Sequence, residues 1–260
     1  MLAVVIIARD EEAYIETCLS SVSGLADELI VLLDDRTTDR TAERAQRHGA
    51  RVVCEAWRGF PAQRNRGLEL ASAPWVLFLD ADELVTPALA DELVATLQNK
   101  PTAAGFRLPR YNRFFGQILQ GGGWYPDHQL RLLRRSAAHF DESRLVHEAA
   151  SLDGAITSTH EHLWHENIER LDELWHKQSR YALAEAQTLY RQGRIMRWRN
   201  LLGAPAREFW RRYGQLGGWR DGPVGFLLCA TMAWHELVTF LLLWSLHNAC
   251  GIKKKEDHVC

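Results

Sequence analysis

The sequence has 260 residues, of which 47% are hydrophobic and 25% charged, with a formal net charge of -2. This composition supports one large or two small domains with a sizeable core, and the near-neutral balance argues against a protein that coats nucleic acid. Five scattered cysteines, with no CxxC and no zinc-type spacing, argue against a disulfide framework and fit a reducing compartment.

The first half reads as alternating strands and helices. Leu2 to Ala8 is a continuous apolar run, as expected of a strand buried on both faces. No basic leader precedes it, so no secretory signal is expected. Glu11 to Ala26 follows as a helix, with Ile15, Leu19 and Val22 on one face. Glu28 to Leu33 is a second strand, and Thr37 or Thr38 is placed to cap a helix that stops at Gly49. Arg51 to Cys54 is a short third strand. Pro61 suits the first turn of a helix reaching Ser72. Trp75 to Leu79 is a fourth strand, and Thr86 and Pro87 open the next helix. The pattern predicts an open α/β sheet, which binds ligands beyond the carboxyl ends of its strands.

Three acidic clusters fall at those strand ends: Asp10 with Glu11, Asp34 with Asp35, and Asp80 with Asp82 and Glu83. Acids in loops are often only solvated or near a helix N-terminus. Three on one sheet edge point instead to a site. Asp80-Ala81-Asp82 directly follows a buried strand, where two carboxylates can approach one Mg²⁺ or Mn²⁺. Such a cation would offset charge on a departing diphosphate. No phosphate-binding glycine motif is present, which argues against a Rossmann dehydrogenase or a P-loop ATPase.

Farther on, Phe106 to Tyr111 and Gln129 to Arg134 read as strands. The glycines Gly121 to Gly123 between them, followed by Trp124, Tyr125, Pro126 and Asp127, suit a flexible lid or an acceptor wall. His160, His162 and His165 lack the partners and spacing of a zinc site. Helices are expected from Asn167 to Gly193 and from Arg194 to about Tyr213, with a break from Gly214 to Pro223. Between Arg191 and Arg220 lie eight arginines and one acid, Glu208. The nearly apolar segment Val224 to Leu246 follows. A basic stretch before an apolar one suggests either an anionic membrane surface or a core helix.

Together these residues resemble glycosyltransferase family 2, whose nucleotide-sugar-binding domain has the GT-A fold. Within that family the chain is most similar to bacterial lipopolysaccharide-core β-1,4-glucosyltransferases. The resemblance is carried by Val4 to Ile15, by Leu33 to Thr41, by Trp57-Arg58-Gly59-Phe60 with Gln63-Arg64-Asn65, and by Leu79-Asp80-Ala81-Asp82-Glu83. Gly122 to Asp127 with Gln129 to Leu132, Val146-His147-Glu148, and Asp221 to Phe226 complete it. Asp10 stands where asparagine is usual, Asp35-Arg36 replaces Ser-Gly, and Arg40 replaces glycine.

The resemblance implies an α/β fold: a GT-A catalytic domain over residues 1–165 with a Rossmann-like mixed sheet, a helical extension over 166–250, and a polar tail over 251–260. It implies an inverting, metal-dependent hexosyltransferase that moves a sugar, glucose in the nearest subfamily, from a UDP-sugar to a lipid-linked saccharide such as the lipopolysaccharide inner core. Asp34 and Asp39 would lie near uracil and ribose, with the backbone around Ala8 and Glu11 as the pocket wall. Arg64 would touch the diphosphate, unless it is only a helix-surface arginine. Asp80 would contact ribose or cation, and Asp82 would ligate Mn²⁺ or Mg²⁺, with His147 completing the shell. Asp127 is the expected base, with Glu148 its rival. Trp124, Tyr125, His160 and His162 fall on the acceptor side. The implied setting is the cytoplasm, peripheral on the inner membrane and without nucleic acid, with a homodimer possible. The segment Val224 to Leu246 is expected to lie along the membrane or to pack partly on the catalytic domain rather than cross the membrane, because His235 and Glu236 sit at its centre. The alternatives are a nucleotidyltransferase and a non-catalytic membrane-associated scaffold.

Overall fold

The computed structural model describes residues 1–142, 150–168 and 170–256. The chain divides into two compact units, the first formed by Met1–Tyr111 with Pro126–Glu166, the second by Asn112–Tyr125 with Asn167–Cys260.

The first unit opens with β1 (Leu2–Ala8), α1 (Ile15–Val22), β2 (Glu28–Asp34), α2 (Thr41–Arg47), β3 (Arg51–Glu55), α3 (Phe60–Leu70) and β4 (Trp75–Asp80). Strands β3, β2, β1 and β4 lie side by side and parallel. Alternate side chains go to opposite faces, as strand geometry requires. Val4, Ile6, Val31, Leu33, Leu77 and Leu79 join one apolar layer with Ile15 and Leu19 of α1. Val5, Ile30, Leu32, Val76 and Phe78 join the other with Leu68 of α3. Both layers exclude water, so every one of these positions is apolar and no alternation shows in the sequence.

Next come β5 (Glu83–Val85), α4 (Pro87–Gln98), β6 (Gly105–Phe114), β7 (Gln117–Ile118), β8 (Asp127–Arg134), the hairpin β9 (Ala138–Phe140) and β10 (Ala150–Leu152), β11 (Ile156–Ser158) and β12 (Leu163–Ile168). Thr86 caps α4 as its sequence predicts, accepting the Leu89 N–H at 3.2 Å. The sheet continues from β4 through β8, β6 and β12 to β5, and β8 runs antiparallel to both β4 and β6. The result is the mixed sheet of a GT-A domain.

Two expectations for this unit need correction. The first helix starts at Ile15, not Glu11, because Asp10 adopts a left-handed backbone with φ 54° and the chain turns before helical geometry is reached. Asparagine and aspartate tolerate that conformation better than other side chains. The second helix starts at Thr41, and neither Thr37 nor Thr38 caps it. Asp39 accepts the Thr41 N–H instead, at 2.9 Å.

In the second unit, α5 (Leu171–Arg191), α6 (Trp198–Trp210) and α7 (Gly222–Glu256) pack together, α7 against both of the others. Phe114, Leu119, Ile168, Leu174 and Leu228 form its apolar centre. The helix expected from Asn167 starts at Leu171, since Asn167 and Ile168 finish β12. The last helix runs through residue 256, so the expected polar tail begins as helix. The 3₁₀ turn before it and most of α7, Gly218–Asn248, are together long and apolar enough to cross a membrane, with a mean hydropathy of 1.8 and only 22% buried.

The glycine run, whose composition suits a lid, an acceptor wall or a structural loop, is pinned. Asp221 accepts the N–H of Gln120 at 2.7 Å and of Gly121 at 2.9 Å, and Arg212 donates to the Gly122 carbonyl at 2.8 Å. A Cβ on Gly121 would lie 2.1 Å from the Gly217 carbonyl oxygen. Close approach, not mobility, therefore explains the glycine there. Trp124 packs in the same unit, edge-on to Phe114 and beneath the Arg212 guanidinium at 5.0 Å.

Candidate active site

The parallel order β2–β1–β4 brings the three acidic clusters to one sheet edge. Register pairs Ala8 with Leu33 and Ile7 with Asp80, so Asp10-Glu11, Asp34-Asp35 and Asp80 to Asp82 leave adjacent strands at the same level. The loops are tied by their own carboxylates. Asp39 accepts from Thr41 Oγ1 at 2.5 Å and from the Glu12 N–H at 2.9 Å, while Thr41 Oγ1 accepts the Glu11 N–H at 2.8 Å. Asp10 accepts the Thr38 N–H at 2.8 Å. Burial works to raise the Asp39 pKa, but these hydrogen bonds from Thr41 and Glu12 outweigh it and keep the group low. Asp34 is buried and meets the Arg36 guanidinium at 2.9 and 2.7 Å, which holds its carboxyl well below the usual range.

Glu11 shows what this crowding does. Burial first, then the carboxylates of Asp82, Asp39, Asp80 and Asp10, push its pKa from 4.5 up to about 7. Negative charge is in surplus at this edge.

Beneath the edge lies a buried ionic network absent from the sequence-based picture. Glu83, grouped by sequence with the exposed acids, turns inward on β5 and is fully buried. It accepts the Asp80 N–H at 3.0 Å, Arg110 Nη1 at 2.7 Å and Arg131 Nη2 at 2.6 Å. Arg131 also grips both oxygens of Asp80. Burial opposes the charge on Asp80, but Arg131 and Arg64 overcome it and hold the carboxyl well below its usual range. Arg110 donates to Asp127 Oδ2 at 2.9 and 2.7 Å, and Gln129 donates to Asp127 Oδ1 at 2.5 Å. One buried anion thus joins the residue at the DxD turn to the residue expected to be the base.

A β-bulge makes this arrangement possible. Phe106 pairs with Leu132 and Arg107 with Leu130, which leaves Arg131 as an extra residue in β8. Bulges next to sites re-aim side chains. Here Arg131 joins Asp127 and Gln129 on the face of Leu132, while Leu130 and Leu133 enter the opposite layer. The alternation of Asp127, Gln129 and Arg131 was the available sequence signal for this polar face.

Arg64 is buried, not a helix-surface arginine. Its guanidinium lies over Phe78 at 5.3 Å and Phe140 at 5.8 Å, with Nη2 3.9 Å from Asp80. Ala8 is buried at the end of β1. Of the three histidines, His165 is the one placed against the DxD turn, its Nε2 3.2 Å from Asp82 Oδ2. The β12–β5 pairing of His165 with Glu83 puts it there. His160 lies against Glu92 at 3.1 Å, and His162 stacks on Tyr111 at 4.1 Å. Trp124 and Tyr125 belong to the second unit. His147 and Glu148 lie outside the described residues.

Among the described residues no group of three or more His, Cys, Asp and Glu side chains is arranged to hold a metal ion. The donors at the DxD turn are the Asp82 carboxylate and the His165 imidazole. The carboxylates fit Mg²⁺ or Mn²⁺, Mg²⁺ being commonly held by one or two carboxylates together with substrate phosphates, and the imidazole is tolerated better by Mn²⁺.

Residues 3–158 match the family model for glycosyl transferase family 2. Lipopolysaccharide core biosynthesis glycosyltransferase LpsC of Rhizobium meliloti is 31% identical over 257 residues, covering 95% of this chain and 93% of that protein. An uncharacterized glycosyltransferase of Rickettsia bellii is 39% identical over 88 residues, 34% of this chain and 30% of that one. The mannosyltransferase PcManGT of Pyrobaculum calidifontis, solved with GDP-Man and Mn²⁺, shares the fold at a TM-score of 0.53 and 15% identity, covering 94% of this chain and 86% of that one. The acidic edge of the parallel strands, the family match over more than half the chain and a relative aligned along nearly its whole length converge: this protein belongs to glycosyl transferase family 2.

Proposed function

We propose that the protein transfers glucose from UDP-glucose, with inversion at the anomeric carbon, to a lipid-linked saccharide such as the lipopolysaccharide inner core. The observation that carries this reading is the pairing of two differently held carboxylates, Asp82 beside His165 at the strand end and Asp127 fixed by Arg110 and Gln129. The role of LpsC in lipopolysaccharide core biosynthesis supports the acceptor class.

In this reading Asp34, Asp39 and the backbone at Ala8 and Glu11 receive the nucleoside, and Arg64 meets the diphosphate. Asp82, His165 and Asp80 would hold Mn²⁺ or Mg²⁺, with His147 as a further ligand. When bound, the cation supplies positive charge against the departing diphosphate. Asp127 takes the proton from the acceptor hydroxyl as its oxygen forms the new bond to the anomeric carbon. The bond from that carbon to the diphosphate oxygen breaks on the opposite face, and UDP leaves with the electron pair. Glu148 is the alternative base. Trp124, Tyr125, His160 and His162 serve the acceptor side.

We further propose that the enzyme works peripherally on an anionic, cytoplasmic membrane surface, with α7 lying along that surface. A donor panel of UDP-glucose, UDP-galactose and GDP-mannose, incubated with purified enzyme and extracted lipopolysaccharide core with and without Mn²⁺, tests the catalytic proposal. Labelled glucose incorporated only from UDP-glucose, and only with cation, is the expected result. Incorporation from GDP-mannose alone overturns the donor assignment.

A further inference from the structure

Helix α6 presents its apolar side outward. Ala204 is its buried residue, and the helix packs on α7. Trp198, Leu202, Ala206 and Trp210, four residues apart, are all exposed, at 76%, 82% and 64% for Trp198, Leu202 and Trp210. Helical neighbours at this spacing form one slowly winding stripe. A helix serving only a soluble core places such residues inward and its charges outward. This stripe runs about 18 Å at 1.5 Å per residue.

The flanks identify the partner. Arg194, Arg197 and Arg199 are exposed and meet no acid among the described residues, whereas Arg207 lies within electrostatic reach of Glu236. Arg211 is different, since Glu208 receives it at 2.9 and 2.7 Å. Three uncompensated guanidinia beside an exposed apolar stripe complement a surface that is anionic outside and apolar just beneath. A tryptophan at each end adds a depth gauge, because indole rings prefer the headgroup level. Two rings at opposite ends of one stripe fix the helix parallel to the surface, as in an interfacial amphipathic helix.

We infer that α6 is the membrane seat of the enzyme: an interfacial helix that inserts Trp198, Leu202 and Trp210 among anionic lipids while its arginines contact headgroup phosphates. This rests on the peripheral-membrane proposal and sharpens it, since α6 and not the more apolar α7 makes the primary contact.

Vesicle flotation of the full chain tests it, with phosphatidylcholine vesicles that either contain or lack phosphatidylglycerol. Wild type is expected to float with the anionic vesicles. W198A/L202Q/W210A is expected to lose at least about tenfold in partitioning while keeping the wild-type melting temperature, because these side chains are exposed. R194Q/R197Q/R199Q is expected to lose on the order of a hundredfold on anionic vesicles and little on neutral ones. If wild type and both variants float equally, α6 is not the seat, although the peripheral reading survives. If wild type does not float at all, both readings fall. A wild-type dimer that the stripe variant converts to monomer, without flotation of either, would make this face a self-association surface and overturn the inference.

Discussion

Glu83→Gln is the most informative perturbation of the first unit. The side chain is fully buried and receives two guanidinium groups, Arg110 at 2.7 Å and Arg131 at 2.6 Å. Around it three cations, Arg64, Arg110 and Arg131, balance three anions, Asp80, Glu83 and Asp127. The amide keeps the shape but leaves one positive charge uncompensated out of water. Removing one partner of a buried ion pair costs about 3–5 kcal/mol. At about 2–4 °C per kcal/mol for a chain of this size, the melting temperature should fall by roughly 6–20 °C. Turnover should fall with it, since Asp80 and Asp127 both hang on arginines that Glu83 holds. Differential scanning calorimetry reads the first effect and a sugar-transfer assay the second. Glu83→Asp keeps the charge and should recover part of both. Ordinary surface substitutions stay within about 0.5 kcal/mol, so a shift below about 2 °C with normal turnover would refute the linking role of Glu83.

Three further outcomes are expected. Asp82→Ala should abolish most turnover at saturating Mn²⁺ and donor, a loss of several kcal/mol of transition-state stabilisation, with an unchanged melting curve; near-normal turnover removes Asp82 from the site. Asp127→Asn should leave donor affinity by calorimetry intact and slow transfer about 10²–10⁴-fold, whereas a collapse with Glu148→Gln and none with Asp127→Asn gives Glu148 the base role. Glu11 ionises near 4.5 in the unfolded chain but near 7 in the folded one, so the folded state holds its proton longer and stability falls as pH rises between those values. Glu11→Gln should therefore match wild type near pH 4 and melt roughly 2–4 °C higher above pH 7, after discounting for solvent screening. A constant difference across that range would show that Glu11 is not the group under strain.

The strands that carry the acidic edge were legible because each is an uninterrupted apolar run buried on both sides, as in Leu2 to Ile6, Ile30 to Leu33 and Val76 to Leu79. Their carboxyl ends carry the three acidic clusters to one sheet edge, as the alternating pattern implies. The short strands β5, β9, β10 and β11 have three residues each, too few for a period to register. That is why Glu83, on β5, looked like a loop acid. Arg110 was invisible for another reason. Its partners, Glu83 and Asp127, lie 27 and 17 positions away, and no local rule specifies such long-range charge pairing.

The bulge at Arg131 gives β8 an unequal tolerance to changes in chain length. Arg131 is surplus to the ladder, since Leu132 and Leu130 already meet Phe106 and Arg107 without it. Excising this one residue would close a regular ladder and leave Leu130, Gln129 and Asp127 facing the layers they face now. Excising Gln129 or Leu130 would instead make Arg131 an ordinary strand residue and swing its guanidinium into the apolar layer of Leu130 and Leu133. The strand can thus lose a residue at a single point without scrambling its two sides, and at that point what it loses is the charge that grips Asp80.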